Sequence, residues 1–252
     1  MKTKFVMMTG VCALSLSACA TATPAPETAS ATPVTRDASQ ADWMTPVPQA
    51  TGIFAKPSPL PFQAPQFDKI KDSDYAPAFD QAMAIHLAEI DNIANNPAPP
   101  TFDNTITAME KSGQMLSRVA STFFNLQAAN TNETLDAIAT DVSPKLAAHN
   151  DAIVLNDKLF ARIDALFKQR DTLNLDPEQL QVLKLYHQQF VHAGTQLAPA
   201  DKETLKDLNK QLSTLETEFS QRLVAAAKAG ALVVSDKAKL AGFDETQLAN
   251  AA

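Results

Sequence analysis

The stretch that decides the fold is DYAPAFDQAMAIHLAEIDNIANNP, residues 74–97. Asp74 can cap a helix, and the first turn tolerates Pro77 because the first amide groups of a helix have no intrahelical partner. Apolar side chains recur at helical spacing through the stretch, at Ala78, Phe79, Ala82, Ile85, Ile90 and Ile93. Asn95-Asn96-Pro97 then stops the pattern. The stretch therefore predicts one helix with a buried apolar stripe.

A second helix is predicted by the most regular repeat in the chain. Its apolar positions alternate steps of three and four, at Ile106, Met109, Gly113, Leu116, Ala120 and Phe123. Such spacing makes one continuous seam for a neighbouring helix. Gly113 would lie within the seam, where the missing side chain allows close approach.

Four more helices are predicted from start signals and apolar spacing. Asn132 begins the third, which Pro144 should kink, and Asn156 caps the fourth. Asp176-Pro177-Glu178 starts the fifth with a cap, a first-position proline and a first-turn acid. The sixth should run from Asp201 to Ala227 with a second three-four seam, at Leu205, Leu208, Leu212, Leu215 and Phe219.

These patterns define an all-α, multi-helix array over residues 54–252, and only Ala231–Val234 resembles a strand. A helical body of this size can enclose one core. The two seams could be a site for a partner helix, but intramolecular packing is the favoured interpretation in a compact array.

The N-terminus has the features of an export signal. Lys2 and Lys4 precede a short apolar stretch, and Leu16-Ser17-Ala18-Cys19 matches a bacterial lipobox over residues 1–19. We expect Cys19 to carry acyl chains that anchor the protein to a membrane. With Ala20 next, we expect a periplasmic protein in the outer membrane of a Gram-negative cell. Cleavage without lipid remains the alternative.

A disordered tether is predicted over residues 20–53, which are rich in Pro, Ala and Thr. Cleavage would remove Lys2 and Lys4 from the 21 basic residues and none of the 28 acidic residues, leaving a net charge of −9. This surface excludes nucleic acid as a favoured partner, since such proteins need a basic patch.

No catalytic or metal site is predicted from the residues. The four histidines are His86, His149, His187 and His192, and none has the spacing of H-E-x-x-H, in which two histidines face one metal. No Gly-rich phosphate loop and no G-x-S-x-G elbow occurs. Cys12 and Cys19 are the only thiols, and both belong to the predicted signal.

None of the four histidines is assigned to a catalytic or metal site. His86 and Glu89 lie three residues apart and could both bind a metal, but a surface pair is the favoured interpretation. His149 is expected to interact with the carbonyl groups at the C-terminal end of the third helix, which is a structural role. His187 and His192 point in different directions and should not share a site.

Six stretches of the chain carry a resemblance to a known family. They are PSPLPFQAPQFDKIKDSDYAPAFDQAM (57–83), IANNPAPPTFDNTITAMEKSG (93–113), FFNLQAANTNE (123–133), PKLAAHNDAIVLNDKLFARIDALF (144–167), TLETEFSQRL (214–223) and ALVVSDKAKLAGF (231–243). They cover nearly everything after the tether. They resemble the N-terminal region of the thimet-oligopeptidase-type zinc metallopeptidases, specifically the bacterial peptidyl-dipeptidase (Dcp) branch.

The resemblance implies the neurolysin-like helical fold, in which a deep channel admits short unfolded peptides and holds one zinc. The dipeptidase branch releases dipeptides from free C-termini. The zinc-binding residues of that family have no counterpart in this chain, so zinc is expected only in a full-length family member. The expected partners are short peptides and the C-terminal catalytic domain of the same polypeptide.

Three functions follow as hypotheses. The leading one is the inactive N-terminal fragment of a lipid-anchored periplasmic peptidyl-dipeptidase, with the C-terminal zinc domain absent. The alternative is a stand-alone, non-catalytic helical lipoprotein that binds peptides in a groove. A structural lipoprotein acting through helix–helix contacts is a third.

Overall fold

The computed structural model describes residues 43–230, 232, 234 and 236–250. Within these ranges the chain is helical and has no strand, which agrees with the predicted all-α class. The predicted signal peptide, Cys19 and most of the predicted tether lie outside the described residues, as do Ala231 and Val233 of the predicted strand. No helix in the described part is long and apolar enough to cross a membrane.

The central helix, α1, runs Asp72–Ala94 and begins two residues before the predicted cap. Asp74 is the third residue of the helix and accepts a hydrogen bond from the Lys71 backbone N–H at 2.8 Å. This hydrogen bond satisfies the backbone donor of the residue that precedes the helix. The predicted stop at Asn95 is confirmed, since Asn95 is the C-terminal cap.

The predicted continuous helix over residues 106–123 is wrong, because the chain breaks at Ser112-Gly113. A π-helical turn, Asp103–Thr107, leads into the short helix α2, Ala108–Lys111. Gly113 has φ +67°, a left-handed conformation that glycine adopts without steric cost, and α3 follows as Gln114–Ala129. The glycine therefore redirects the chain between two helices.

The next three helices begin where their caps predict. In α4, Glu133–Val154, the Asn132 side chain accepts from the Leu135 amide, and in α5, Asp157–Lys168, Asn156 accepts from two amides. Helix α6, Pro177–His192, begins with a capping box at Asp176. The capping side chains accept hydrogen bonds from nearby backbone amides that have no partner within the helix. These contacts are local, so the helix starts can be predicted from the sequence.

Helix α7, Pro199–Ala229, is longer than predicted and lies against α4. Its predicted seam is not core. Leu208, Leu212, Leu215 and Phe219 are all more than half exposed. The interpretation of this seam as intramolecular core is therefore wrong in the described structure, and Leu212 is a surface residue. The short helix α8, Glu245–Asn250, follows.

Two apolar clusters form on α1. The first joins the N-terminal half of α1 to α3 and α4 and centres on Tyr75, Phe79 and Phe123. The second joins the C-terminal half of α1 to α5, α6 and the turn before α2, around Ile106, Leu159, Ile163, Leu183 and Phe190. The break at Gly113 thus separates residues that pack in different clusters.

Residues 43–53, at the C-terminal end of the segment 20–53 predicted as a tether, form a strap along α1. The Thr45 amide donates to Asn92 Oδ1 at 2.7 Å, and the Thr51 amide donates to Gln81 Oε1 at 3.0 Å. Ile53 packs against the first cluster. Immediately after the strap, the Phe54 carbonyl accepts a hydrogen bond from the Arg118 side chain at 3.0 Å.

Candidate functional site

The sequence predicted that His86 lies on the surface. In the structure it lies instead at the break between α2 and α3. Its Nδ1 is 3.0 Å from His149 Nε2, and its Nε2 is 3.2 Å from Ser112 Oγ. Glu89 accepts a hydrogen bond from the Gly113 amide at 2.7 Å. His86 and Glu89 therefore both contact the break between α2 and α3, at Ser112 and Gly113.

His149 lies in the body of α4 and is 7% exposed. Its Nε2 contacts His86, so the predicted contact with the helix C-terminal carbonyl groups is wrong. Burial and the neighbouring His86 lower the pKa of His149 to about 4, and burial lowers the pKa of His86 although Glu89 opposes it. Two neutral rings can share one hydrogen bond, with one nitrogen donating and the other accepting.

The other two histidines occupy separate places on α6. His187 Nε2 is 3.3 Å from Asp164 Oδ1, and its ring stacks on Phe167 with centroids 3.8 Å apart. His192 lines a groove between α4 and α7. Neither arrangement supplies a nucleophile or a third ligand.

The zinc that the resemblance implies has no fitting site among the described residues. No group of three or more His, Cys, Asp or Glu side chains in that part of the chain could hold a metal ion. The arrangement most similar to a metal site is the His86–His149 pair, but the nitrogens that face each other are joined by a hydrogen bond. No step of a reaction can be assigned to zinc on these residues.

A groove of about 940 Å³ runs between α4, the C-terminal end of α6 and α7. Its walls are mainly apolar and include Leu146, Val191, Leu205 and Leu212. Asp151 and Glu216 are its acidic residues, and no lysine or arginine lines it. It is an open, weakly polar surface rather than an enclosed active site.

Asp151 is the unusual group of this groove, because it is 3% exposed and only half satisfied. Its Oδ1 accepts from Asn209 Nδ2 at 2.8 Å, while Oδ2 has no partner within the described part of the chain. Burial raises the pKa of Asp151, although Asn209 and the charge of Lys206 oppose the shift. A buried carboxylate oxygen without a donor is costly.

Sequence reasoning did not find this groove. Asp151 is one of 28 acidic residues and has no distinctive local pattern. Its importance depends on Asn209, which lies 58 residues away on α7. Only the folded arrangement brings these residues together.

Comparison with curated proteins gives strong similarity to two dipeptidyl carboxypeptidases. The chain is 49% identical over 203 residues to that of Salmonella typhimurium, covering 81% of this chain and 30% of the relative. It is 48% identical over 199 residues to that of Escherichia coli, covering 79% of this chain and 29% of the relative. No model of a protein family matches the chain.

A more distant relative is oligopeptidase A. The Salmonella typhimurium enzyme is 22% identical over 190 residues, covering 75% of this chain and 28% of the relative. About 80% of this chain therefore corresponds to the N-terminal region of the thimet-oligopeptidase-type peptidases. Within that class, its higher identity places it on the dipeptidyl carboxypeptidase branch. The chain spans about 30% of the length of the curated relatives it matches.

Proposed function

We propose that this chain is the N-terminal helical region of a lipid-anchored, periplasmic zinc peptidyl-dipeptidase. In this proposal the region forms part of the wall of a channel for short unfolded peptides. A C-terminal catalytic domain of the same polypeptide supplies the zinc and the reacting groups, and the region is inactive alone. The 49% identity to a dipeptidyl carboxypeptidase over 81% of the chain carries the proposal.

The anchoring part of the proposal rests on sequence. The lipobox that ends at Cys19 supports acylation, export and attachment to the outer membrane. A tether between Cys19 and the strap would then separate the helical region from the membrane surface.

A chimera tests the enzymatic proposal most directly. The chain would replace the matching N-terminal region of the Salmonella typhimurium enzyme, and a blocked-amine peptide with a free C-terminus would serve as substrate. We expect chelator-sensitive release of dipeptides by the chimera and none by the isolated chain. A folded chimera that does not release dipeptides, beside an active parent enzyme, would contradict the proposal.

One observation favours the alternative, a non-catalytic lipoprotein that binds peptides. The groove between α4 and α7 is open and has an unsatisfied carboxylate oxygen at Asp151. Titration calorimetry of the isolated chain with short peptides separates the two proposals. Saturable binding without cleavage, combined with an inactive chimera, would favour the alternative.

A further inference from the structure

Two side-chain amides on α1 hold the strap. The Thr45 N–H donates to Asn92 Oδ1 at 2.7 Å, and Asn92 Nδ2 donates to the Thr45 carbonyl at 2.9 Å. The Thr51 N–H donates to Gln81 Oε1 at 3.0 Å, and Gln81 Nε2 donates to Thr51 Oγ1 at 2.9 Å. Asn92 therefore bonds to both main-chain groups of one strap residue, as a residue of a neighbouring β-strand does.

The spacing of the two amides matches an extended peptide. Gln81 and Asn92 lie about three turns apart on one face of α1, which is about 17 Å at ~1.5 Å per residue. Thr45 and Thr51 are about 19 Å apart along an extended chain at ~3.1 Å per residue. The strap runs antiparallel to α1, because its earlier residue pairs with the later helix residue.

The side chains between the two contact points contribute little to this attachment. Met44 is 50% exposed and Val47 is 45% exposed, and Pro46 and Pro48 are also exposed. The two prolines favour an extended backbone and have no N–H to satisfy. Only near the end of the strap does a small side chain, Ala50, pack against the first cluster. Other extended sequences therefore fit the same main-chain contacts.

The strap neither fills this face of α1 nor is tightly covered. A cavity of about 360 Å³ lies where residues 51–54 pass the first turns of α1, and Pro77 and Ala78 are part of its wall. The bonds between Thr51 and Gln81 are exposed to solvent. Segments held by exposed hydrogen bonds open at a small cost in free energy.

We propose that this face of α1 is a binding site for extended peptides, and that the strap is its intramolecular cover. The ligand is a segment of about seven residues or more, because a shorter one does not reach from Asn92 to Gln81. It presents one N–H and C=O pair to Asn92, and an N–H with a Ser or Thr hydroxyl to Gln81. The inference goes beyond the proposed function, since the site uses neither zinc nor the catalytic domain.

The strap has the advantage of being tethered to its site. A linked segment competes at an effective concentration on the order of mM. A free peptide should therefore bind weakly to the wild-type chain and more tightly to a chain whose strap is released. This difference distinguishes a covered binding site from a purely structural contact.

Proline substitution releases the strap within the full chain. Thr45→Pro combined with Thr51→Pro removes the two N–H groups that the α1 amides accept. Val47→Pro is the matched control, because it lies between the contact points and leaves both in place. Trp43, the single tryptophan of the chain, has a buried indole nitrogen and reports release. We expect its emission to shift to the red in the double variant and to stay unchanged in Val47→Pro.

Three synthetic peptides probe the exposed site by fluorescence anisotropy. The first has the sequence of residues 43–51 with phenylalanine in place of Trp43, blocked ends and a fluorescent label. The second also carries Met44→Ser and Val47→Ser, and the third is N-methylated at the residues matching Thr45 and Thr51. We expect the first to bind the double variant at least tenfold more tightly than the wild type. The second should bind within threefold of the first, and the third at least tenfold more weakly.

Substitutions on α1 identify the site. In the strap-released double variant, Asn92→Ala and Gln81→Ala should each weaken binding of the first peptide at least fivefold. Gln188→Ala, at an exposed glutamine of α6, is the control and should change it less than twofold. Equal effects of Gln81→Ala and Gln188→Ala would place the peptide elsewhere and overturn the inference.

The remaining outcomes are also decisive. Equal affinity of the first peptide for the wild type and the folded double variant, or no binding to either, would overturn the inference. Loss of binding by the second peptide would show recognition of side chains and overturn main-chain recognition. A Trp43 emission shift that depends on dilution would assign the strap to α1 of a second copy and overturn the intramolecular cover.

A titration of the wild-type chain keeps the test valid if the double variant does not fold. The unlabelled first peptide contains no tryptophan, so Trp43 emission reports the strap alone. We expect a saturable red shift as the peptide displaces the strap. No shift at a peptide concentration on the order of 10 mM, above the effective concentration of the strap, would overturn the inference.

These outcomes are distinguishable from those of the proposed function. A chimera that releases dipeptides, together with a strap that no peptide displaces, would refute the α1 site alone. Displacement of the strap in the isolated chain, together with a folded but inactive chimera, would support the α1 site and refute the enzymatic proposal.

Discussion

The imidazole rings of His86 and His149 are hydrogen-bonded to one another, with His86 Nδ1 3.0 Å from His149 Nε2. The contact joins α1 to α4 and lies against the break that separates α2 from α3. Because a neutral ring is needed to accept the shared hydrogen bond, protonating both rings would place two positive charges in contact. The pair therefore makes this junction sensitive to acid.

The first prediction concerns stability against pH. The folded-state pKa of His149 is about 4, below the ~6.5 of an exposed histidine, so the unfolded state binds its proton first. The free energy of unfolding should therefore be unaffected by this group above pH ~6.5 and fall by about 3 kcal/mol as pH drops to about 4. Urea denaturation across this window measures the effect.

His149→Gln should flatten this dependence, because the replacement does not titrate. Asn150→Gln is the matched control at an exposed neighbouring position of α4, and it should keep the wild-type dependence. The same slope in His149→Gln and wild type would show that other groups control acid stability.

The second prediction concerns Gly113. Alanine there would adopt φ near +67°, and its Cβ would lie 2.9 Å from the His86 ring. The left-handed backbone costs ~1–2 kcal/mol, and displacement of the imidazole adds to that. Gly113→Ala should therefore lower the free energy of unfolding by ~2–4 kcal/mol, as measured by chemical denaturation.

Gly52→Ala is the control for the backbone effect. Gly52 has φ +79°, but no heavy atom beyond the glycine and its two chain neighbours lies within 4 Å of its Cβ position. Its substitution should cost only the ~1–2 kcal/mol of the backbone conformation. Equal losses at the two glycines would mean that His86 moves aside freely.

The contrast between caps and breaks explains what the sequence could predict. Asn132, Asn156 and Asp176 bond to amides within three residues, so their signal is local and their helices were predicted correctly. The break at Gly113 was missed because the three-four spacing continues on both sides of it. The spacing of apolar residues predicts which side chains are buried. It does not predict that Ile106 and Phe123 pack in different clusters.

The candidate sites were less predictable than the helices. His86 and His149 are 63 residues apart in sequence, and Asp151 and Asn209 are 58 apart. Their contacts depend on how whole helices pack, so no local pattern reveals them. The family resemblance, by contrast, is carried by six stretches of sequence spread along the chain, and the 49% identity to a dipeptidyl carboxypeptidase confirms it.

The third prediction tests the lipid anchor. Cys19→Ser should abolish incorporation of labelled fatty acid and release the protein from the membrane fraction or leave it unprocessed, since Cys19 is the one thiol in the lipobox. Cys12→Ser, within the apolar part of the signal, is the control and should leave labelling intact. Equal labelling of Cys19→Ser and wild type would rule out the lipobox.

The fourth prediction concerns Leu212, on the exposed face of α7. In the isolated chain, Leu212→Ala should cost less than ~1 kcal/mol, because the side chain is half exposed and surface truncations perturb stability little. Leu159→Ala on α5 is the matched core substitution, fully buried in the second cluster, and should cost ~2–5 kcal/mol. Urea unfolding followed by circular dichroism measures both. A loss at Leu212 as large as that at Leu159 would show that the Leu212 side chain is buried in solution.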